Sequence, residues 1–167
     1  TSVRNVSKTY TYDANHNTET INYSDTTPDV TFTYHDFSNL IKTRTDGIGL
    51  YQYEYNANNR LRFIYGPWEN DTIEFRYNEL GQLTDLIPQT GQAIHYIYDS
   101  IGRLTNIQAG ANTLTYGYSG VNPLIQSLTR LNGSITEYLY NDPLKRLTEI
   151  TNKTSADVII NKHVFTY

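Results

Sequence analysis

The chain has no cysteine and no methionine, a single tryptophan and only five prolines in 167 residues. Without cysteine there is neither a disulfide framework nor a thiolate metal site. The longest purely aliphatic stretch, Val158-Ile159-Ile160, is far too short for a membrane-spanning helix, so no membrane insertion by this segment is expected. Basic residues are few and scattered: 13 Lys and Arg stand against 17 Asp and Glu, for a net charge of −4. That balance disfavours nucleic acid and anionic lipid as partners. No window keeps a helical period. The four histidines, His16, His35, His95 and His163, fall at unrelated places in the pattern described next, so they are read as surface or packing residues. No cofactor is expected.

What is abundant is tyrosine, with 16 copies. Most belong to eight triplets of aromatic, any residue, tyrosine. They are Tyr10-Thr11-Tyr12, Phe32-Thr33-Tyr34, Tyr53-Glu54-Tyr55, Phe75-Arg76-Tyr77, Tyr96-Ile97-Tyr98, Tyr116-Gly117-Tyr118, Tyr138-Leu139-Tyr140 and Phe165-Thr166-Tyr167. The second aromatics step along the chain by 22, 21, 22, 21, 20, 22 and 27 residues. A fixed period of this size means one supersecondary unit repeated about seven times. Such units build surfaces and enclosures, because no unit buries its own face alone.

Within a unit, Ile94, Tyr96 and Tyr98 alternate with Ala93, His95 and Ile97. Period two with large apolar groups on one side is a strand. Six residues after the second aromatic come Leu40, Leu61, Leu83, Leu104 and Leu124, with Leu147 one place later and Thr18 in the first unit. Between lies a turn: Asn56-Ala57-Asn58-Asn59, Asn78-Glu79-Leu80-Gly81, Asp99-Ser100-Ile101-Gly102 or Ser119-Gly120-Val121-Asn122. The leading Asp, Asn or Ser can bond the backbone ahead, and Gly or Asn last tolerates positive φ. Other Gly, Pro, Asn and Asp clusters join one hairpin to the next, at 24–29, 46–49, 66–71, 88–91, 109–112, 131–134 and 152–157. The fold class is therefore all-β: an open, curved antiparallel meander of consecutive hairpins, about fifteen strands over 1–167. One feature is discordant. Leu104 and Ile107 are three apart, as are Leu61 and Ile64, and Leu83 and Leu86. Either a bulge intervenes or the sheet is apolar on both faces there.

The run Tyr96-Ile97-Tyr98-Asp99-Ser100-Ile101-Gly102-Arg103-Leu104-Thr105 resembles the consensus of the tyrosine–aspartate, or Rhs, repeat, Tyr-x-Tyr-Asp-x-x-Gly-Arg-Leu. Degenerate copies surround Tyr12-Asp13, Asn56 with Arg60-Leu61, Asn78 with Gly81-Gln82-Leu83, and Asn141 with Arg146-Leu147. The resemblance covers nearly the whole chain. It implies wall material of a spiralling hollow shell, as in bacterial Rhs toxins, insecticidal toxin complexes and teneurins. In the bacterial members the shell encloses a C-terminal toxin. It implies as partners the rest of the parent shell and its cargo, and a bacterial parent that is exported or delivered. The self-cleaving Asp-Pro-x-Gly segment of many members is not met, since Leu144-Lys145 follows Asp142-Pro143. The chain begins one strand before a triplet, stops where a turn is due, and lacks a capping repeat. It is therefore expected to be a fragment of a longer array, without catalysis of its own.

The repeat-defining positions are expected to be structural: Tyr10, Tyr12, Asp13, Phe32, Tyr34, Leu40, Tyr53, Tyr55, Arg60, Leu61, Phe75, Tyr77, Gly81, Leu83, Tyr96, Tyr98, Asp99, Gly102, Arg103, Leu104, Tyr116, Tyr118, Leu124, Tyr138, Tyr140, Arg146 and Leu147. Each turn supplies one Asx oxygen, too few for calcium, so these residues read as turn formers. Arg60, Arg103 and Arg146 hold equivalent places and are expected to bond neighbouring turn carboxylates. The aromatic face with Trp68, in Gly66-Pro67-Trp68-Glu69-Asn70, offers glycan binding as the alternative function, and Trp68 is the single candidate contact. A third possibility is a teneurin-like adhesion module. The outer strands, near Val6–Tyr12 and Val158–Tyr167, invite self-association through unpaired backbone.

Overall fold

The computed structural model describes residues 6–167. It contains fifteen strands in chain order. They are β1 (Lys8–Tyr12), β2 (Thr18–Tyr23), β3 (Val30–Tyr34), β4 (Ile41–Thr45), β5 (Leu50–Tyr55), β6 (Leu61–Tyr65), β7 (Thr72–Tyr77), β8 (Leu83–Pro88), β9 (Ile94–Tyr98), β10 (Leu104–Ala109), β11 (Asn112–Tyr118), β12 (Ile125–Thr129), β13 (Ile135–Leu139), β14 (Glu149–Lys153) and β15 (Ile159–Val164). Their hydrogen-bonded order is their sequence order, β1 through β15, in one open antiparallel sheet. No helix occurs among the described residues. The chain forms two compact units. The first runs through Arg76 and takes in Ile87–Gly91; the second comprises Tyr77–Leu86 and Gln92–Tyr167.

Each unit is a single layer, and among the described residues no apolar side chain is fully buried. The two faces nonetheless differ. In β3, Val30, Phe32 and Tyr34 are half-buried while Thr31 and Thr33 are exposed, and β5 and β9 repeat that alternation. On the tyrosine face of the second unit, Tyr96 lies opposite Ile107, Ile107 opposite Leu114, and Tyr116 opposite Leu128. Such cross-strand pairs contribute roughly 0.2–1 kcal/mol each. The other face is polar. Thr11 and Thr20 share a hydroxyl bond of 2.7 Å, Thr33 and Thr43 one of 2.6 Å, and Asn106 donates to Thr115 at 2.9 Å.

A bulge resolves the three-residue spacing. Tyr98 pairs with Leu104 and Ile97 with Asn106, so Thr105 is the extra residue. Leu104 and Ile107 consequently face Tyr98 and Tyr96 on one side of the sheet. The same insertion recurs at Glu19, Lys42, Arg62 and Gln126, each just after the hairpin turn. It brings Leu61 and Ile64 opposite Tyr55 and Tyr53. A bulge at the same place in these five hairpins adds the same local twist each time, whereas the β13–β14 hairpin pairs without one.

Candidate structural site: the junction between hairpins

The turns adopt the geometry their residues dictate. Asp99 Oδ1 accepts the backbone N–H of Ile101 at 3.1 Å and of Arg103 at 2.9 Å. Asn56 does the same for Asn58 and Arg60, and Asp13 for Asn15 and Asn17. The fourth turn residue takes the left-handed conformation: Asn59 at φ 59°, Gly81 at 80° and Gly102 at 85°. Two turns depart from expectation. In the turn after Tyr118, between β11 and β12, the positive φ falls on Gly120, at 51°, and not on Asn122. After Tyr140 the turn is displaced by one residue. Asp142, not Asn141, accepts the backbone N–H of Leu144, and Lys145 carries the positive φ of 57°. This displacement explains why Leu147 stands one place late.

Around Arg103 four interactions converge. Its Nε donates to Asp99 Oδ2 of its own turn at 2.7 Å. Its Nη1 donates to the carbonyls of Gly120 and Asn122 in the following turn, both at 2.7 Å. Its guanidinium stacks 4.4 Å from the centre of the Tyr118 ring. The Tyr118 hydroxyl in turn donates to the Leu104 carbonyl at 2.8 Å, returning to the hairpin that holds Arg103. The set recurs at Arg146. It bonds Asp142 at 2.6 and 3.0 Å and lies 4.2 Å from the centre of the Tyr167 ring, while the Tyr167 hydroxyl donates to the Leu147 carbonyl at 2.9 Å. The expected ladder to neighbouring carboxylates is thus corrected. Arg103 and Arg146 take the carboxylate of their own turn and reach the next repeat through its tyrosine ring, Arg103 also through backbone carbonyls. A guanidinium has five donors in a fixed fork, enough to serve several acceptors at once.

The tyrosine bond is the part sequence reasoning missed. Tyr34 donates to the Thr18 carbonyl at 2.7 Å and Tyr98 to the Leu83 carbonyl at 2.8 Å, while Tyr55 is bonded to the backbone of Ile41. In each case the second aromatic of one triplet fastens the start of the strand after the previous turn. The invariance of tyrosine at this place, where phenylalanine is accepted only at the first aromatic, is the signal that could have revealed it. Burial pushes the phenols of Tyr34, Tyr55, Tyr98, Tyr118 and Tyr140 above the ordinary tyrosine value.

The other repeat positions fall around these junctions. Phe32, Tyr53, Phe75, Tyr96, Tyr116 and Tyr138 line the tyrosine face half-buried, as do the second aromatics Tyr77 and Tyr140. Tyr10 and Tyr12, on outer strand β1, are 48% and 58% exposed. Leu40 and Leu124 lie just ahead of β4 and β12; the Leu40 carbonyl accepts the His35 N–H, and the Leu124 N–H donates to Asn122 Oδ1. Leu61, Leu83 and Leu104 open β6, β8 and β10. Arg60 and Gln82 occupy the place of Arg103, and Gln82 Nε2 reaches the Gly102 carbonyl of the next turn at 2.7 Å. Trp68 stands apart from the junctions, 63% exposed. A groove of about 550 Å³ opens on the second unit, lined by Ile94, Ile107, Leu114, Arg130 and Leu131 among others. Among the described residues there is no cluster of three or more metal-ligating side chains and no helix long and apolar enough to cross a membrane.

None of the curated proteins matches the chain. Solved structures do. The chain is similar to one in the crystal structure of TcdB2-TccC3-TEV, with a TM-score of 0.67 and 15% identity over 97% of its length. It is also similar to one in the Photorhabdus luminescens Tc holotoxin pore carrying the TccC3 D651A mutation, with a TM-score of 0.70 and 17% identity over 94% of its length. It spans about a tenth of those chains, covering 10% and 9% of them. At such identity the likeness is one of fold. Family membership rests on the sequence itself: the teneurin YD-shell family matches residues 2–153, and the chain belongs to that family.

Proposed function

We propose that the chain is a structural segment in the wall of a larger hollow shell. The parent, on this reading, is a bacterial exported or delivered protein whose shell encloses a C-terminal toxin or effector, and this segment does no chemistry. The observation that carries the proposal is the repeated junction. Tyr34, Tyr55, Tyr98, Tyr118 and Tyr167 each fasten one repeat to the one before, Arg103 and Arg146 reinforce two of these junctions, and among the described residues no second layer covers the strands. Such a unit extends by addition, since each new hairpin is stabilised by its neighbour. Strands β1 and β15 are exposed along their whole length and stand at the two ends of the strand order, where further hairpins would add. Electron microscopy of the full-length parent tests this. A cavity holding the C-terminal domain, with that domain resisting protease until the wall is opened, is the expected result. A solid core or a cargo cleaved at once would refute it.

The second reading is a glycan-binding repeat adhesin, which the exposure of Trp68 favours. It predicts a glycan-array signal that Trp68→Ala removes. A teneurin-like adhesion module without cargo is distinguished by a membrane anchor in the parent.

A further inference from the structure

The junction built on Arg103 has a counterpart in the first unit with its carboxylate and its tyrosine in place but not its arginine. Asp13 stands where Asp99 stands, and its Oδ1 accepts the N–H of Asn15 and of Asn17, both at 2.9 Å. Tyr34 stands where Tyr118 stands; its hydroxyl donates to the Thr18 carbonyl as that of Tyr118 does to Leu104. The place of Arg103 is held by Asn17. Its Nδ2 donates to Asp13 Oδ2 at 3.1 Å, as Arg103 Nε does to Asp99 Oδ2 at 2.7 Å. The shorter amide goes no further. Among the described residues no cation lies over the Tyr34 ring, whereas Arg103 covers Tyr118 and Arg146 covers Tyr167. In its stead a cavity of about 450 Å³ opens, lined by Asp13, Asn15, Tyr34, His35, Asp36 and Phe37. Burial and then the Asp13 carboxylate raise the Tyr34 phenol; at Tyr118 the charge of Arg103 opposes that rise.

We propose that this cavity receives a guanidinium from outside the chain, the arginine side chain of a partner polypeptide. The Arg103 and Arg146 junctions show the same frame of turn carboxylate and tyrosine ring holding that group. Charge favours it further. Asp36 occupies the position of Gly120, is exposed, and has no ion-pair partner among the described residues, so the cavity offers a second carboxylate. Asp13 Oδ2 accepts only the Asn17 amide, and a carboxylate oxygen has room for another donor. His35 is engaged elsewhere, its ring edge against Tyr55 at 5.7 Å and its Nε2 3.3 Å from the Tyr53 carbonyl oxygen. A planar fork can stack on Tyr34 while it bonds a carboxylate, which a point ammonium does less well. The fully exposed Phe37 gives the aliphatic stem an apolar wall. A free arginine would bring a third carboxylate to a site that already holds two; an arginine within a polypeptide does not.

Titration with N-acetyl-arginine amide, followed by amide chemical shifts, tests this. Saturable shifts confined to residues 13–17 and 34–38 are expected in the millimolar range. N-acetyl-lysine amide should bind at least about fivefold more weakly, and free arginine no more tightly than the blocked residue. Asn17→Arg supplies the guanidinium from within the chain. It should abolish the titration and raise the midpoint of thermal unfolding. Asp36→Asn, at an exposed position, should weaken binding several-fold with the circular dichroism unchanged. Equal affinity for the lysine probe would mean diffuse attraction to two carboxylates and overturn the proposal. Binding that survives Asn17→Arg, or shifts scattered over the sheet, would do so as well. Tighter binding of free arginine would assign the cavity to the amino acid and rule out a polypeptide source.

Discussion

Replacing Arg103 by alanine isolates the junction from everything else that holds the sheet. The substitution removes two hydrogen bonds from a cation to the carbonyls of Gly120 and Asn122, both 2.7 Å long, and the stacking on Tyr118. Bonds involving a charged group contribute about 1.5–3 kcal/mol when buried, and less where water replaces them. With the Arg103 side chain 19% exposed, about 1 kcal/mol each is a fair share. A partly exposed cation–π contact adds about 0.5–1 kcal/mol. The 2.7 Å ion pair to Asp99 is lost as well, but it is partly exposed and adds little, and Asp99 keeps its two backbone donors, so no orphaned carboxylate enters the sum. The total is about 2–3 kcal/mol, large for a repeat whose stability is mostly intrinsic and nearest-neighbour. Arg103→Lys should recover less than half, since a point ammonium cannot hold Asp99 and both carbonyls together. Urea denaturation followed by circular dichroism gives the global value, and hydrogen exchange at residues 104–118 shows whether the loss is local. A change below 0.5 kcal/mol for Arg103→Ala, with exchange unaltered, would refute the junction as a source of stability.

Tyr118→Phe keeps the ring beneath Arg103 and deletes only the bond to the Leu104 carbonyl, so about 1 kcal/mol should be lost; a neutral result in urea would show that water serves that carbonyl equally well. At alkaline pH the buried phenols hold their protons more tightly when folded than when unfolded. The stability they contribute is complete below pH 10 and falls as pH rises through their raised folded values. Tyrosinate absorbance should therefore appear late and together with loss of strand signal; ordinary titration of all tyrosines near pH 10 with the sheet intact would contradict this. Asp142, held at a pKa of about 2 chiefly by Arg146, contributes stability above pH 4 that disappears as pH falls towards 2. Asp142→Asn should flatten that part of the profile in urea titrations between pH 6 and 2, and an identical slope in both proteins counts against the assignment. Gly102→Ala forces a side chain into φ 85°, with its Cβ 3.3 Å from Gln82 Nε2, and should cost about 1–2 kcal/mol by thermal or urea unfolding; no loss would mean that the turn relaxes freely.

The sequence by itself determined the repeat, the hairpin, the two faces and most of the turns. Those features are local: alternation along a strand and Asx or glycine chemistry within four residues need no distant partner. The eight aromatic triplets placed the tyrosine faces, and the turn residues placed nearly every strand end. Tertiary structure decided the rest. The bulge after five of the hairpin turns was one of two equal possibilities until pairings such as Tyr98 with Leu104 and Ile97 with Asn106 chose between them. Register is a property of two strands, and a period read along one strand cannot supply it. The move of the last turn from Asn141 to Asp142 likewise followed from which Asx could serve both the backbone and Arg146. The junction lay beyond sequence reading for a simple reason. Tyr118 and Leu104 are 14 residues apart, and Tyr167 and Leu147 are 20 apart, so their bonds exist only once one hairpin lies beside the next.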